Sequence, residues 1–310
     1  MTSRRVLLAA LVVMGAGWGI TQPLSKIAVS EGYRYFGLIF WQATIGAVIL
    51  GAILVIRDRG LGRVRGRGLP LTGPALRRYL MMALVGTILP DAAGYEVLRH
   101  IPAGVMAVVL SLVPMMAFPV ALVLGNDGFA WSSLAGLVLG LAGVLLIALP
   151  DASLPDRAMV VWLPLALVPP VCYALEGNAV ARWGMGGTDP VQLLCGASAL
   201  AALLTLPLAL ASGQWIAPFL PWGAPDLALI ASAVLHVFAY TTYVWLVGHA
   251  GPSFAVQVSY LVTGFGVIWS MVLLGERFSL WVWAAMAAML LGVALVQPRR
   301  VAVEAGPAKK

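Results

Sequence analysis

Charge is what this sequence has least of. Only 10% of its residues are Asp, Glu, Lys or Arg, whereas about a quarter is usual in a soluble domain. Hydrophobic residues make up 61% and the mean hydropathy is +0.96. This scarcity excludes a water-soluble globular chain, because most of the apolar stretches are apolar all round rather than along one stripe. Histidine and cysteine are also sparse, at three and two. His100, His236 and His249 are dispersed, and no HExxH, glycine-rich phosphate loop or paired-carboxylate motif occurs. No enzyme, metal site or cofactor is therefore expected, and a nucleotide-driven pump is excluded. Cys172 and Cys195 fall inside apolar runs, where they read as small packing residues rather than a disulfide framework.

What remains is a succession of apolar runs: 6–29, 36–56, 79–98, 102–124, 131–149, 160–183, 189–211, 226–248, 252–274 and 280–297. Each has about the 17–25 residues that cross a hydrocarbon core as a helix. They predict an all-α integral membrane protein with ten transmembrane helices. Arg4 and Arg5 before the run Val6 to Met14 resemble a leader, but no convincing small-residue cleavage site follows, so this is expected to be an uncleaved first span.

Basic residues set the orientation. With the N-terminus inside, the inner segments hold Arg4, Arg5, Arg57, Arg59, Arg63, Arg65, Arg67, Arg77, Arg78, Arg182, Arg299, Arg300, Lys309 and Lys310, and the outer loops only Arg34, Arg99, Arg157 and Arg277. Both termini are thus expected in the cytoplasm, as for a multi-pass protein of a bacterial plasma (inner) membrane. The net charge of +7 is accounted for by this asymmetry and by contact with anionic membrane lipid. The loop from Arg57 to Arg78 lacks the aromatic interleaving of a nucleic-acid site, and no nucleic acid is expected as a partner.

The chain also resembles itself. Shifted by 150 positions, Pro102 falls on Pro252, Val108 on Val258, Leu124 on Leu274 and Gly125 on Gly275. Both copies leave an apolar span through polar residues, turn at a proline, run apolar again and stop at a glycine. Five spans per half is an odd number, so the second half must enter the membrane inverted. The expected organisation is a first repeat over 1–150, a second over 151–298 and a basic cytoplasmic tail over 299–310. Two such halves can exchange roles across the membrane, which is the geometry of alternating access.

Leu274-Gly275-Glu276-Arg277 before an apolar span with Gly292-Val293, the Trp18-Gly19 pair in the first span, and ten helices in two halves resemble the EamA family of the drug/metabolite transporter superfamily. The first half departs from the family pattern, with Gly125-Asn126 where Gly-Glu is usual and Asp127 supplying the acid one place later. The turns themselves read as structural: glycine closes a helix in the left-handed conformation, Ser279 or Asp127 caps the next, and Glu276 closes the fold. Gly15 with Gly19 and Gly136 with Gly140 have the small-xxx-small spacing of close helix packing, either within the chain or at a dimer face. A monomer or a homodimer is compatible with both.

Ionisable and aromatic residues at membrane depth mark the candidate cavity. Lys26 and Asp91 share a depth, as an ion pair or as substrate and coupling contacts. Glu176 sits in the inner half of the sixth span, roughly opposite Gln22 across the repeat, and is a further coupling candidate. His236, Tyr240 and Tyr243 share one face of the eighth span, and with Gln257 and Tyr260 on the ninth form either an aromatic, hydrogen-bonding wall or a set of interhelical bonds. Trp18, Trp41 and Tyr95 complete the set. Prolines at 23, 90, 114, 119, 164, 169 and 170 interrupt spans where a cavity or neighbours must satisfy the freed carbonyls.

The family resemblance implies a secondary exporter of small metabolites, amino acids above all, with purines, cofactors and toxic organics also represented. Coupling to protons through Glu176, Asp91 or His236 and facilitated diffusion both stay open. An intramembrane enzyme would need clustered His, Asp or Arg at one membrane face, and a sensor or scaffold a soluble output domain; the sequence has neither.

Overall fold

The computed structural model describes residues 3–60, 68–149, 153–217, 221–255 and 257–296. Arg63, Arg65, Arg67 and the basic tail 299–310 lie outside these residues. Ten apolar helical segments follow one another: α1 (Arg4–Ser30), α2 (Tyr35–Gly60), α3 (Gly73–Leu98), α4 (Ala103–Leu124), α5 (Trp131–Ala148), α6 (Arg157–Trp183), α7 (Pro190–Ala211), α8 (Ala224–Ala250), α9 (Val258–Leu274, led by the single turn Pro252–Ala255) and α10 (Leu280–Val296). Eight are long and apolar enough to cross a membrane; Val258–Leu274 and Leu280–Val296 are shorter apolar helices of 17 residues each. No strand occurs among the described residues. The sequence spans recur with ends moved by a few residues. The largest shift is at α3, which starts at Gly73 because the Thr72 hydroxyl caps the amide of Ala75 and Pro74 fits the first turn.

Packing obeys one rule. The most extensive helix contacts are α5 with α10, α2 with α7, α4 with α9, and the pairs α1–α8 with α6–α3, α1–α9 with α6–α4, and α2–α8 with α7–α3. Exchanging each helix of the first five with its counterpart in the last five leaves this set unchanged, as a two-fold axis between two five-helix halves requires. Every one of these contacts joins one half to the other, so the halves are interleaved rather than set side by side. α5 and α10 pair on the periphery. The other eight surround the centre.

In lipid, helices hold together by close packing, and glycine makes the approach. A methyl group placed on Gly19 would meet the Gly266 amide nitrogen at 2.8 Å and the Val262 carbonyl at 2.9 Å; one on Gly136 would meet the Gly292 carbonyl at 2.6 Å. Gly15 faces Leu261 of α9, and Gly140 faces Met115 of α4. All four glycines of the small-xxx-small pairs are thus taken up by packing within the chain.

Gly125 and Gly275 both end their helices in the left-handed conformation, at φ +67° and +66°, so the two half-ends match. The residues that follow do not. Glu276 reaches out of its own turn to the start of α4, where its Oε1 accepts from the Ala103 amide (2.7 Å) and its Oε2 from the Gly104 amide (3.0 Å). A carboxylate there meets the unpaired amides and positive dipole end of a helix N-terminus. Beside it, Lys26 Nζ donates to the carbonyls of Leu98 (2.5 Å) and Ile101 (3.1 Å) at the turn between α3 and α4. The ion pair of Lys26 with Asp91 does not form, because these carbonyls take the ammonium instead. In the first half Asn126 donates to the backbone and side-chain oxygens of Asn178, while Asp127, among the described residues, accepts only from its neighbour Gly128. Asp127 therefore does not stand in for Glu276. Nor do the expected caps form: Ala130 precedes α5 without a side-chain cap, and the Ser279 hydroxyl donates to the Ser153 carbonyl.

The face that carries this Lys26–Glu276 cluster is closed by further ties between halves. The Tyr33 hydroxyl donates to Asp226 Oδ1 at 2.6 Å, the Phe36 amide to Gln214 Oε1 at 3.1 Å, and the Trp41 indole to the Ile216 carbonyl at 2.9 Å. Burial, then the hydrogen bond to and the charge of Asp226, push the Tyr33 phenol up to about 12. Its folded value lies above the ordinary one, so this tie holds through neutral pH and is lost only as pH rises through that value. On the opposite face Arg57 Nη2 donates to Asp189 Oδ2 at 2.7 Å. Burial pushes the Asp189 carboxyl up, but the bonds from Arg57 and from the Gln192 and Val191 amides outweigh it and hold it below its ordinary value.

Two stability predictions follow from this packing. Gly19→Ala should lower the thermal midpoint of the detergent-solubilised protein by the equivalent of about 1–3 kcal/mol, the usual cost of overpacking. Gly17→Ala should be close to silent, since its new methyl would meet only Leu235 at 3.8 Å; equal effects would contradict the packing. Glu276→Ala strands two helix-start amides and should cost on the order of 3 kcal/mol, with Glu276→Gln intermediate, as read by thermal melting. An unchanged midpoint in Glu276→Ala would show that this cap does not hold the halves together.

Candidate functional site

Four helices around the centre break beside prolines. Pro23 has no amide to offer the Gly19 carbonyl, and α1 breaks at Ile20 between Arg4–Gly19 and Thr21–Ser30. The Thr21 hydroxyl covers the Trp18 carbonyl at 2.7 Å, and the Trp269 indole the Ala16 carbonyl at 3.1 Å. α3 widens into a π-turn over Leu84–Ile88 just before Pro90. α4 breaks at Ser111 and Leu112 before Pro114, with the Ser111 hydroxyl on the Val108 carbonyl at 2.6 Å. α6 breaks at Leu167 ahead of Pro169 and Pro170. Residues at or beside these breaks, Thr21, Gly86, Ser111 and Pro169 among them, line the centre, and π-turns of this kind recur at functional positions.

The result is a cavity of about 360 Å³ between the halves, within the size range of small-molecule sites. α1 contributes Trp18, Gln22 and Ser25, α2 Gln42, and α3 Gly86, Asp91 and Tyr95; from the second half come Tyr173 and Glu176 on α6, Ser232, His236 and Tyr240 on α8, and Ser259 and Thr263 on α9. Neither α5 nor α10 reaches it.

Among these residues the bonding is sparse. The Tyr173 hydroxyl donates to Asp91 Oδ1 at 3.2 Å, which ties α6 to α3, and the Tyr95 hydroxyl donates to Gln42 Oε1, which ties α3 to α2. Trp18 meets His236 edge-on at 5.9 Å between ring centroids. Glu176 lies against the π-turn: a methyl group on Gly86 would sit 2.7 Å from its carboxyl carbon. Any larger residue at this position would move that carboxylate from its place.

Of the residues singled out from the sequence, Trp18, Gln22, Asp91, Tyr95, Glu176, His236 and Tyr240 line this one cavity. Tyr243 does not. It lies behind Trp18, edge-on at 6.3 Å, so the indole occupies the space before it. Trp41 stands among Phe40 and Trp215 at the closed face. Gln257 is exposed at the loosened turn that opens α9, and Tyr260 packs against the main apolar core. Lys26 serves the turn between α3 and α4. Sequence reasoning passed over Tyr173, although it stands three residues before Glu176 and so on the same helical face. It also passed over Gln42, Ser25, Ser232, Ser259 and Thr263. No group of three or more His, Cys, Asp or Glu residues suited to a metal occurs among the described residues.

Comparison with known proteins fits this architecture. The chain matches the EamA-like transporter family twice, over residues 5–149 and 160–297. It is 28% identical over 309 residues to the "Uncharacterized transporter YvbV" of Bacillus subtilis (strain 168), covering 98% of this chain and 94% of that one. It is 25% identical over 277 residues to the "Probable terminal-alkyne amino-acid exporter" of Streptantibioticus cattleyicolor, covering 86% and 85%. A crystal structure at 19% identity superposes with a TM-score of 0.60 over 93% of this chain and 97% of the other, a likeness of fold. With two matched halves, ten apolar helices and a central cavity between them, the chain belongs to the EamA-like transporter family.

Proposed function

We propose that this protein is a secondary exporter of small organic metabolites, amino acids or compounds close to them, which works by alternating access. The observation that carries this reading is the cavity itself: it lies between interleaved halves and draws its polar groups from both. A solute held there touches both halves and so bears on how one rocks against the other. The amino-acid class is supported by the relative named as a terminal-alkyne amino-acid exporter.

In this reading residues 1–150 and 151–298 are the two exchanging halves, both termini lie in the cytoplasm of a bacterial inner membrane, and the Lys26–Glu276 cluster closes the outward face. Asp91 and Glu176 face the solute from α3 and α6, while Trp18, Tyr95, His236 and Tyr240 take its apolar body and Gln22 its polar edge. Tyr243 supports Trp18 from behind. Trp41, Gln257 and Tyr260 act in the closing contacts around the cavity rather than on the solute. The protein acts without cofactor or metal.

Efflux and counterflow of a panel of radiolabelled amino acids, nucleobases and vitamins in proteoliposomes test this, with and without a pH gradient. At least one panel solute should move in wild type, and Asp91→Asn or Glu176→Gln should reduce its flux by about tenfold, the loss of one good charged contact. A folded, reconstituted protein that moves no member of the panel would contradict the reading.

A further inference from the structure

The cavity is lopsided in charge. Two carboxylates, Asp91 and Glu176, face it, and no Lys or Arg does. Lys26 is the neighbour of the cavity-lining Ser25, but its ammonium is turned to the carbonyls of Leu98 and Ile101 beside Glu276. The other ionisable groups facing the cavity are His236, Tyr95, Tyr173 and Tyr240. Asp91 is partly engaged, through the hydroxyl of Tyr173. Glu176 accepts no hydrogen bond and forms no ion pair among the described residues, yet the π-turn and Gly86 leave a place fitted to its carboxylate. An acid held at membrane depth without a partner in the protein calls for one from outside it.

We propose, building on the transport reading above, that the substrate is a primary amine of net positive charge with an aromatic or apolar body. Its ammonium lies between Asp91 and Glu176, and its body lies against Trp18 and Tyr240, whose π-faces also favour a cation. Asp91 is five residues beyond Gly86 on α3, just past the π-turn, and its carboxylate and that of Glu176 line the same cavity, so one ammonium with three donors can be shared between them. A zwitterionic amino acid would bring its own carboxylate into a cavity that already holds two and offers it only neutral donors such as Gln22, Ser25 and Ser232. Charge therefore selects against an unmodified α-carboxylate, and the amine or a carboxyl-blocked derivative is preferred.

Three solutes that share a phenyl ring and differ in charge test this: phenethylamine, L-phenylalanine and 3-phenylpropionate, each in proteoliposome counterflow and each added to the purified protein in a thermal-shift titration. Phenethylamine should move at least about tenfold faster than phenylalanine, a difference of one charged contact, and should alone raise the thermal midpoint of the wild type. Phenylpropionate should do neither. Glu176→Gln should lower phenethylamine flux by about tenfold and so narrow its lead over phenylalanine, because a neutral amide neither holds an ammonium nor repels a carboxylate. Phenylalanine moving as well as or better than phenethylamine would overturn the amine assignment while leaving a transporter in place. So would movement of other panel solutes with none of these three. If nothing moves, the transport reading fails and this one fails with it. The wild-type midpoint shift needs no variant, so a Glu176→Gln protein that misfolds would not protect the proposal.

Discussion

Hydrocarbon offers no partner to a backbone carbonyl, and the rest of this structure depends on how the chain meets that condition where prolines deny it the regular one. Pro23, Pro90, Pro114 and the Pro169-Pro170 pair each remove an amide from the interior of an apolar helical segment. Beside these breaks the Thr21 hydroxyl bonds the Trp18 carbonyl, the Ser111 hydroxyl the Val108 carbonyl and the Trp269 indole the Ala16 carbonyl, and α3 takes up a π-turn. These extra bonds cluster at the centre, where the helices break, two from within their own helix and one, from Trp269 of α9, from the other half. The same loosened turns open the space between them. Site and helix breaks thus have one cause, and the cavity is the place where the fold departs furthest from ten plain helices.

Interleaving gives the cavity its mechanical meaning. Because the extensive helix contacts all run between halves, the two cannot separate without dismantling the packing, and the proposed cycle would exchange one set of contacts for its symmetry mate. The two half-ends are built from different chemistry. One carries the charged cluster of Glu276, Lys26 and the amides that start α4, whereas its counterpart uses the neutral pair Asn126 and Asn178. A carboxylate across a helix start binds more strongly than an amide pair, so these two matching half-end contacts differ in strength, while the Arg57–Asp189 pair ties the face opposite the Lys26–Glu276 cluster.

Much of this was legible beforehand, for identifiable reasons. Span count and limits followed from hydropathy and the length of a bilayer crossing, and the repeat from a constant 150-residue offset. Asp91, Glu176 and His236 stood out because ionisable groups are costly in lipid. What escaped was decided by neighbours in space. Tyr243 shares a helical face with His236 and Tyr240, but the Trp18 ring stands before it. Trp41 and Tyr260 are aromatic and at depth, yet one bonds a loop carbonyl and the other joins the core. Lys26 lies level with Asp91 along the chain's path, but the carbonyls left over at the end of α3 are closer to hand. Glu276 closes the fold as its turn suggested, but by capping another half's helix, which no local pattern encodes.

The account stands on the cavity being reached from each side of the membrane in turn. A single cysteine at Ser25 or Ser259, in a protein with Cys172 and Cys195 replaced, reports this through labelling by membrane-impermeant thiol reagents applied to either side of oriented vesicles. Labelling from both sides, shifted toward one by a transported solute, is the result the account predicts. Labelling from one side alone under every condition, with solute present and absent, would contradict it.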